Sequence, residues 1–282
     1  MQILTTASEL SAALGACRNK GDVGLVPTMG ALHDGHRSLI LQAARENPTV
    51  VVSIFVNPLQ FGDEADLALY PRDLEGDARI AQSAGASLVF APAVEEIYPP
   101  PLRTTLHVAG IGEILEGVSR PGHFDGVATV LARLFGLVGP ATAYFGEKDF
   151  QQVAVVRTVV RELRLPIAVR ACPTVRAADG LALSSRNGRL GPEGRRAATA
   201  LHRALSAGAA LVAAGEGDTA AVAEALGRVL ADEPGVETDY VAVVDPESLV
   251  PPTVIAGPVR LLVAARVDGV RLIDNCLARP GG

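Results

Sequence analysis

Residues 23–36 read V-G-L-V-P-T-M-G-A-L-H-D-G-H, and the reading of this stretch decides the fold. The apolar run Val23–Val26 has the character of a buried strand, and Pro27, which cannot donate to a strand ladder, is expected to end it. After a turn of small residues, His36–Glu46 places Leu39, Ile40, Ala43 and Ala44 at helical spacing. Asp34 is expected to cap that helix, and Gly35 keeps the backbone approachable. His33 and His36 then stand three apart at the mouth of the helix, where unpaired N–H groups and the helix dipole favour an anion. The carboxyl end of a strand in an open α/β sheet is also where ligands bind. A metal pair is a second reading, although no third carboxylate ligand is evident, and a solvated pair without a role is a third. Two of the five histidines fall here, which favours the first.

Working outward, Ala7–Cys17 reads as a helix with Leu10, Ala13 and Leu14 on one face. The β-branched run Thr49–Val56 lacks polar alternation, as a central parallel strand covered on both faces would. It leads into Asn57-Pro58-Leu59-Gln60-Phe61-Gly62. A right-handed strand–helix–strand unit sets both strand ends on one rim, so His33, His36, Asn57 and Gln60 should share it. Helices follow at Asp73–Ala84, Gly126–Val138 and Phe150–Leu163, and strands at Ser87–Phe90, Ala143–Phe145 and Ile167–Ala171. Between them, Ala93–Leu106 and Leu115–Phe124 read as loops. Past Pro173 come a loop at Arg176–Asn187, Ala-rich helices at Pro192–Ala214 and Thr219–Leu230, and strands near Glu237–Val244, Val259–Val267 and Val270–Ile273. The expected architecture is α/β: a doubly wound parallel (Rossmann-like) sheet domain over residues 1–174, then a smaller α+β lid domain over 175–282.

Composition narrows the function. A net charge of −6 argues against bulk nucleic-acid binding. No apolar run approaches the roughly 20 residues of a membrane span, and the first residues lack the pattern of a signal peptide, so a cytoplasmic protein is expected. Cys17, Cys172 and Cys276 are scattered and odd in number, consistent with reduced, mostly buried thiols. Of 25 basic residues only Lys20 and Lys148 are lysines. Lys20 reads as a surface loop residue, whereas Lys148, in F-G-E-K-D, invites a role for a compact rotatable ammonium. No P-loop and no G-x-G-x-x-G fingerprint follows a strand, so a nucleotide, if bound, is held by other means.

Seven stretches then run in order from Pro27 to Asn187: P-T-M-G-A-L-H-D-G-H, V-S-I-F-V-N-P-L-Q-F, Y-P-R, R-P-G-H-F-D-G-V, F-G-E-K-D-F-Q-Q, P-T-V-R and D-G-L-A-L-S-S-R-N. Together they resemble the pantothenate synthetase (pantoate–β-alanine ligase) family. That family lies in a nucleotidyltransferase superfamily sharing its H-x-G-H turn with class I aminoacyl-tRNA synthetases. The resemblance implies a two-step ligation: pantoate attacks the α-phosphate of ATP, and β-alanine displaces AMP from the pantoyl adenylate. It implies catalytic roles for His33, His36, Lys148, Ser184, Ser185 and Arg186. It assigns ATP to His36, Met29, Gly146, Lys148, Asp149, Val175, Ser184, Ser185 and Arg186, and pantoate to Gln60, Gln152, Pro27, Met29 and Asn57. Mg2+ would accompany ATP, with Asp77 beside it, and the family is commonly homodimeric.

The same residues have plainer readings one at a time. Asp149 alone is a helix N-cap, Ser184-Ser185 alone a turn, and Gln60 or Gln152 alone a solvated amide. Glu116, Arg120 and His123 match family motifs yet read as loop-holding groups. Two positions depart from the family pattern: Gly76-Asp77 where relatives carry adjacent acids, which puts protein ligation of magnesium in doubt, and Leu183 for a frequent Met. Competing functions are a nucleotidyltransferase with a phosphorylated acceptor, a synthetase acting on tRNA, and a non-catalytic nucleotide-binding module.

Overall fold

The structure, a computed structural model, describes residues 1–62 and 67–281 and not the side chain of Lys20. Its first sheet holds six parallel strands: β1 (Gln2–Leu4), β2 (Val23–Thr28), β3 (Thr49–Ile54), β4 (Leu88–Phe90), β5 (Ala141–Gly146) and β6 (Ile167–Cys172). Their order is β1-β4-β3-β2-β5-β6. The chain winds from β2 through β3 to β4 in one direction and from β5 to β6 in the other, so the order reverses between β2 and β5. In a doubly wound sheet that reversal opens a crevice at the carboxyl ends of the strands. The short β1, with only three residues, had no readable signal.

Both faces of the sheet are covered. Leu25, Val51, Phe90 and Ala143 pack with Leu10 and Leu14 of α1 (Ala7–Cys17) and with Leu131 and Phe135 of a later helix, His123–Val138. Their sequence neighbours Val26, Val50, Val52 and Val89 pack on the opposite face with Leu39, Ile40 and Ala43 of α2 (Asp34–Glu46) and Ala81 of α3 (Leu74–Ser83). This two-sided burial is why the strand runs carry no polar alternation. Short helices α4 (Val94–Ile97) and α5 (Glu116–Ser119) interrupt the two stretches expected as loops, α6 is His123–Val138, and α7 (Phe150–Glu162) precedes β6.

Two boundaries differ from expectation for local reasons. Pro27 does not end β2: the strand runs to Thr28 beside β3, while β5 pairs only with Gly24 and Leu25. Beyond Leu25 no ladder donor is asked for on the β5 side, so a proline is tolerated there. The helix begins at Asp34, with His33 rather than Asp34 as its cap.

The chain divides into two compact units, the first Met1–Glu147 with Gln151–Pro173 and the second Lys148–Phe150 with Thr174–Gly282. The second unit has its own core, in which Leu201, Leu205, Leu226 and Leu230 pack against Leu261, Val263 and Ala265. Its antiparallel sheet has the order β7 (Val236–Val244), β8 (Val259–Val267), β9 (Val270–Ala278). The expected long helix at Pro192–Ala214 is two, α8 (Pro192–Ala197) and α9 (Ala200–Ala213), followed by α10 (Thr219–Ala231). The break falls where the Thr199 hydroxyl donates to Arg196 O at 2.7 Å, a bond that competes with the helical ladder. β9 runs five residues past Ile273 because a tight hairpin sets full pairing with β8. Asp268 and Gly269 both have positive φ (50° and 73°), as an Asp-Gly turn of this hand requires.

One polar network ties α2 to β5 and β6. Buried Tyr144 donates to Glu46 at 2.7 Å and accepts from Asn47 Nδ2 at 2.7 Å, and Arg170 donates to Glu46 at 2.9 Å. The Arg170 bond, helped by Tyr144 and Gln42, draws the Glu46 carboxyl down to about 2. A depressed carboxyl favours the fold above its unfolded value. The contribution of Glu46 should therefore be complete near neutrality and decline as pH falls from about 4.5 through about 2. A carbon-detected NMR titration should place the Glu46 midpoint well below those of exposed glutamates, and Arg170→Met should raise it; an ordinary midpoint in the unmodified chain would contradict the network.

Candidate active site

The turn leaving β2 is pinned by the Thr28 hydroxyl and by the Asp77 carboxylate. Thr28 Oγ1 donates to Ser53 O at 2.7 Å and accepts from Gly30 N at 3.2 Å. Gly30 and then Ala31 take positive φ, 85° and 51°. The amides of Ala31 and Leu32 donate to Asp77. The chain then enters α2 through a pair of imidazoles acting as caps. His33 Nδ1 accepts from Gly35 N at 3.1 Å, and His36 Nδ1 accepts from His33 N at 3.4 Å. A ring nitrogen that accepts carries no proton, so both neutral rings hold theirs on Nε2. The ring centroids lie 4.2 Å apart. A histidine cap does locally what Asp34 was expected to do, and it fixes the tautomer of a group that can donate to an anion.

Gln60, 7% exposed, follows β3 in a 3-10 turn, Pro58–Gln60. Its Nε2 donates to the Met29 sulfur at 2.8 Å, and its Oε1 accepts from Asn57 Nδ2 at 3.0 Å. Asn57 is held from three sides: Nδ2 donates to Gly126 O at 3.0 Å, while Oδ1 accepts from Tyr98 Oη at 2.7 Å and Leu59 N at 3.3 Å. Burial pushes the Tyr98 phenol well up, against the opposing Arg133, so Tyr98 stays a donor. Thus Met29, Asn57 and Gln60, expected in one substrate set, form one hydrogen-bonded cluster at the ends of β2 and β3. Pro27 lies two residues before Met29 on β2.

The motif R-P-G-H-F-D-G-V is the platform under this cluster. His123 Nδ1 lies 3.0 Å and Arg120 Nη2 3.3 Å from the backbone oxygen of Gln60, and Arg120 Nη1 lies 3.1 Å from His123 Nε2. A carbonyl only accepts, so His123 carries its proton on Nδ1 and offers Nε2 to the guanidinium. Gly126 is required: a Cβ there would stand 2.3 Å from Leu59 O and 2.7 Å from Gln60 N. The loop-holding reading of Arg120 and His123 thereby acquires a specific object. Of the pair Gln151-Gln152, the first is buried and clamps the 111–116 loop through Ile111 O (2.8 Å), Ile114 O (2.7 Å) and Glu116 N (3.0 Å). Gln151 carries no signal in the motif that sets it apart from its neighbour; Gln152 is half-buried on the first turn of α7.

A cavity of about 350 Å³ opens at the ends of β3 and β4 beside Pro71–Leu74 and includes Met29 and Asp77, the two members of the predicted set that line it. Gly146 ends β5, with nothing within 4 Å of where a Cβ would sit. Asp77, expected beside magnesium, has both carboxylate oxygens engaged by the 31–32 amides. Among the described residues, no group of three or more His, Cys, Asp or Glu is placed to hold a metal.

The other predicted residues belong to the second unit. Lys148 Nζ stands 3.5 Å from Asp149 Oδ1, and Lys148 O accepts from Asn275 Nδ2 at 2.8 Å. Val175 O accepts from Leu183 N at 2.9 Å. Ser184 Oγ accepts from Arg186 N at 3.2 Å and so caps the 3-10 turn Ser185–Arg189. Arg176 of P-T-V-R forms a two-pronged pair with buried Asp274 at 2.6 and 2.9 Å. Cys17 and Cys276 are half-buried and only Cys172 is buried; desolvation raises the Cys172 and Cys276 thiols to about 11, away from nucleophilic use.

The family model for pantoate-beta-alanine ligase matches residues 2–277. The chain is 51% identical to the pantothenate synthetase of Moorella thermoacetica over 98% of both chains. It is 51% identical to that of Thermus thermophilus over 99% of this chain and 100% of the relative. A crystal structure of the Thermus thermophilus pantothenate synthetase superposes with a TM-score of 0.92 at 50% identity, covering 98% of this chain and 99% of that one. The pantoate-beta-alanine ligase of Francisella tularensis, solved as a complex with beta-gamma ATP and beta-alanine, superposes with a TM-score of 0.81 at 33% identity over 98% and 97%.

Nitrogen-15 NMR of the histidine rings should find His33 and His36 as Nε2–H tautomers and His123 as the Nδ1–H tautomer. An Nε2–H tautomer at His123 would contradict its bond to the Gln60 carbonyl.

Proposed function

The chain belongs to the pantoate-beta-alanine ligase family, and from that premise we propose that it joins pantoate to β-alanine in an ATP-dependent ligation through pantoyl adenylate. In the first step a pantoate carboxylate oxygen attacks the α-phosphorus and the bond to the leaving pyrophosphate breaks. In the second the β-alanine amine attacks the acyl carbon, the bond to AMP breaks, and the amine gives up a proton.

The Gln60 cluster is the observation that carries this reading. An amide oriented at both ends, beside a thioether, suits a small acid with hydroxyls and a branched apolar carbon. Gln60, Gln152 and Asn57 are proposed to serve the hydroxyls and carboxylate, with Pro27 and Met29 against the methyls. An acceptor bearing a phosphate would call for cations here, yet Arg120 is engaged by His123 and the Gln60 carbonyl. That favours the unphosphorylated acid over the nucleotidyltransferase alternative.

Phosphoryl transfer asks for positioning and charge neutralisation more than for a protein nucleophile. The Nε2–H groups of His33 and His36, at a helix N-terminus, are suited to phosphate oxygens. Lys148, Ser184, Ser185 and Arg186 are proposed to follow the charge onto the α-phosphate and the departing pyrophosphate. Gly146, Asp149, Val175 and Met29 complete the proposed ATP set. Mg2+ enters the proposal as the ion carried by the triphosphate, and no step is assigned to it. A catalytic part at 1–174, a covering lid at 175–282, a homodimer and a cytoplasmic location belong to the same reading; light scattering on the purified chain tests the dimer.

AMP should appear only when pantoate and ATP are supplied together with an amine acceptor, and turnover that runs equally well without pantoate would reject the substrate. Lys148→Ala should raise the adenylation barrier by about 2–4 kcal/mol, as loss of a placed charge donor does. Single-turnover kinetics checks this, and a near-normal rate would remove Lys148 from the chemistry.

A further inference from the structure

Asp77 is a buried charged group to which the proposed reaction gives no part. It lies on the first turn of α3, 4% exposed, where desolvation demands that its oxygens be satisfied. Oδ1 accepts from Leu32 N at 2.7 Å and Oδ2 from Ala31 N at 2.9 Å. The turn so held is one that L residues resist. Ala31 sits at φ 51°, where crowding of Cβ against the following carbonyl lowers the population roughly five- to thirtyfold. Gly30 precedes it at φ 85°, and a Cβ there would fall 2.8 Å from Asp77 Oδ2.

The structure assigns Asp77 the task of a positioning residue: its carboxylate braces the Gly30–Leu32 turn, with Gly30 and Ala31 at positive φ, and so sets Met29 on one side and the His33 cap on the other. Two amides pointing at one carboxylate give Ala31 a reason to stay in a conformation that its side chain disfavours. The alternative task, ligation of magnesium, would have to use the second lone pair of an oxygen already fixed by an amide, for an ion that needs near-ideal octahedral geometry and parts with water reluctantly. Asp73 lines the same cavity, but its carboxylate caps its own helix at Gly76 N, and among the described residues no group of three or more acidic or histidine ligands forms, so the brace accounts for the burial and for the direction of both oxygens.

The choice of substrate in the test rests on the ligation proposed above, but the deciding measurement does not. In the unmodified chain without magnesium, NMR hydrogen exchange should find the Ala31 and Leu32 amides protected; rapid exchange at both overturns the brace. Asp77→Asn, which replaces one acceptor by a donor, should cut that protection and lower kcat/KM for pantoate at least tenfold, leaving the magnesium concentration for half-activation within twofold. Gly30→Ala keeps the carboxylate but crowds it off the turn, and should give the same signature. Ala31→Gly in the Asp77→Asn background should recover about fivefold, since glycine carries no left-handed penalty. A tenfold shift in the magnesium requirement with both amides still protected, or no recovery from Ala31→Gly, overturns the proposal. Should Asp77→Asn fail to fold, exchange in the unmodified chain and the Gly30→Ala variant decide. Failure of the ligation reading would show differently, as an unmodified chain that protects both amides yet turns over no pantoate.

Discussion

The first sheet depends on an incomplete pairing. β2 pairs with β3 along all six residues but with β5 only at Gly24 and Leu25, while β5 continues beside β6 to Gly146. Past Leu25 and Ala143 the two central strands have no common ladder, and the sheet opens between them. The opening coincides with the reversal of strand order, where the loops leaving β2 and β5 run to opposite faces. Pro27 sits on the open margin, where its missing N–H leaves no gap in a ladder. Had β5 paired further along β2, neither a proline nor a ligand crevice would fit that place.

What the sequence made legible follows from the strength of each local signal. The β-branched runs at Val23 and Thr49 and the helical spacing of Leu39, Ile40 and Ala43 are consistent over many residues, and the parallel sheet and its flanking helices follow from them. The three-residue β1 carries no such pattern. The break between α8 and α9 turns on one threonine hydroxyl, and composition alone saw a single Ala-rich helix. β9 runs past Ile273 because register with β8 is set at the Asp268-Gly269 hairpin, whereas Asp274 and Asn275, buried polar residues in the strand, disguise its continuation. Local propensity is a weak prior wherever one tertiary contact decides the outcome.

The candidate site was legible by residue type and not by partner. The motifs put Met29, Asn57 and Gln60 in one substrate set without their mutual bonds, and geometry makes them one hydrogen-bonded unit resting on Gly126, Arg120 and His123. The Gln151-Gln152 pair divides between clamp and candidate contact according to which residue faces the 111–116 loop, and two identical letters give no means of seeing that. Asp34 was the better N-cap by propensity, yet His33 takes the position because the His36 ring completes the reciprocal cap.

The division between holding and contacting residues has a physical basis. A side chain that must present one atom at a fixed angle needs its remaining polar atoms satisfied, because an unsatisfied buried group costs more than a made bond returns. In the N-P-L-Q turn Asn57 satisfies the oxygen of Gln60. In the H-D-G-H turn each imidazole uses Nδ1 within the helix cap and is thereby confined to an Nε2 proton. His123 shows the converse: its Nδ1 proton belongs to a backbone carbonyl and its Nε2 faces a guanidinium. That arrangement suits a support and not a donor to phosphate. Three histidines of the same composition thus take different tasks from the atom that the backbone claims first, a choice that no single-letter pattern records.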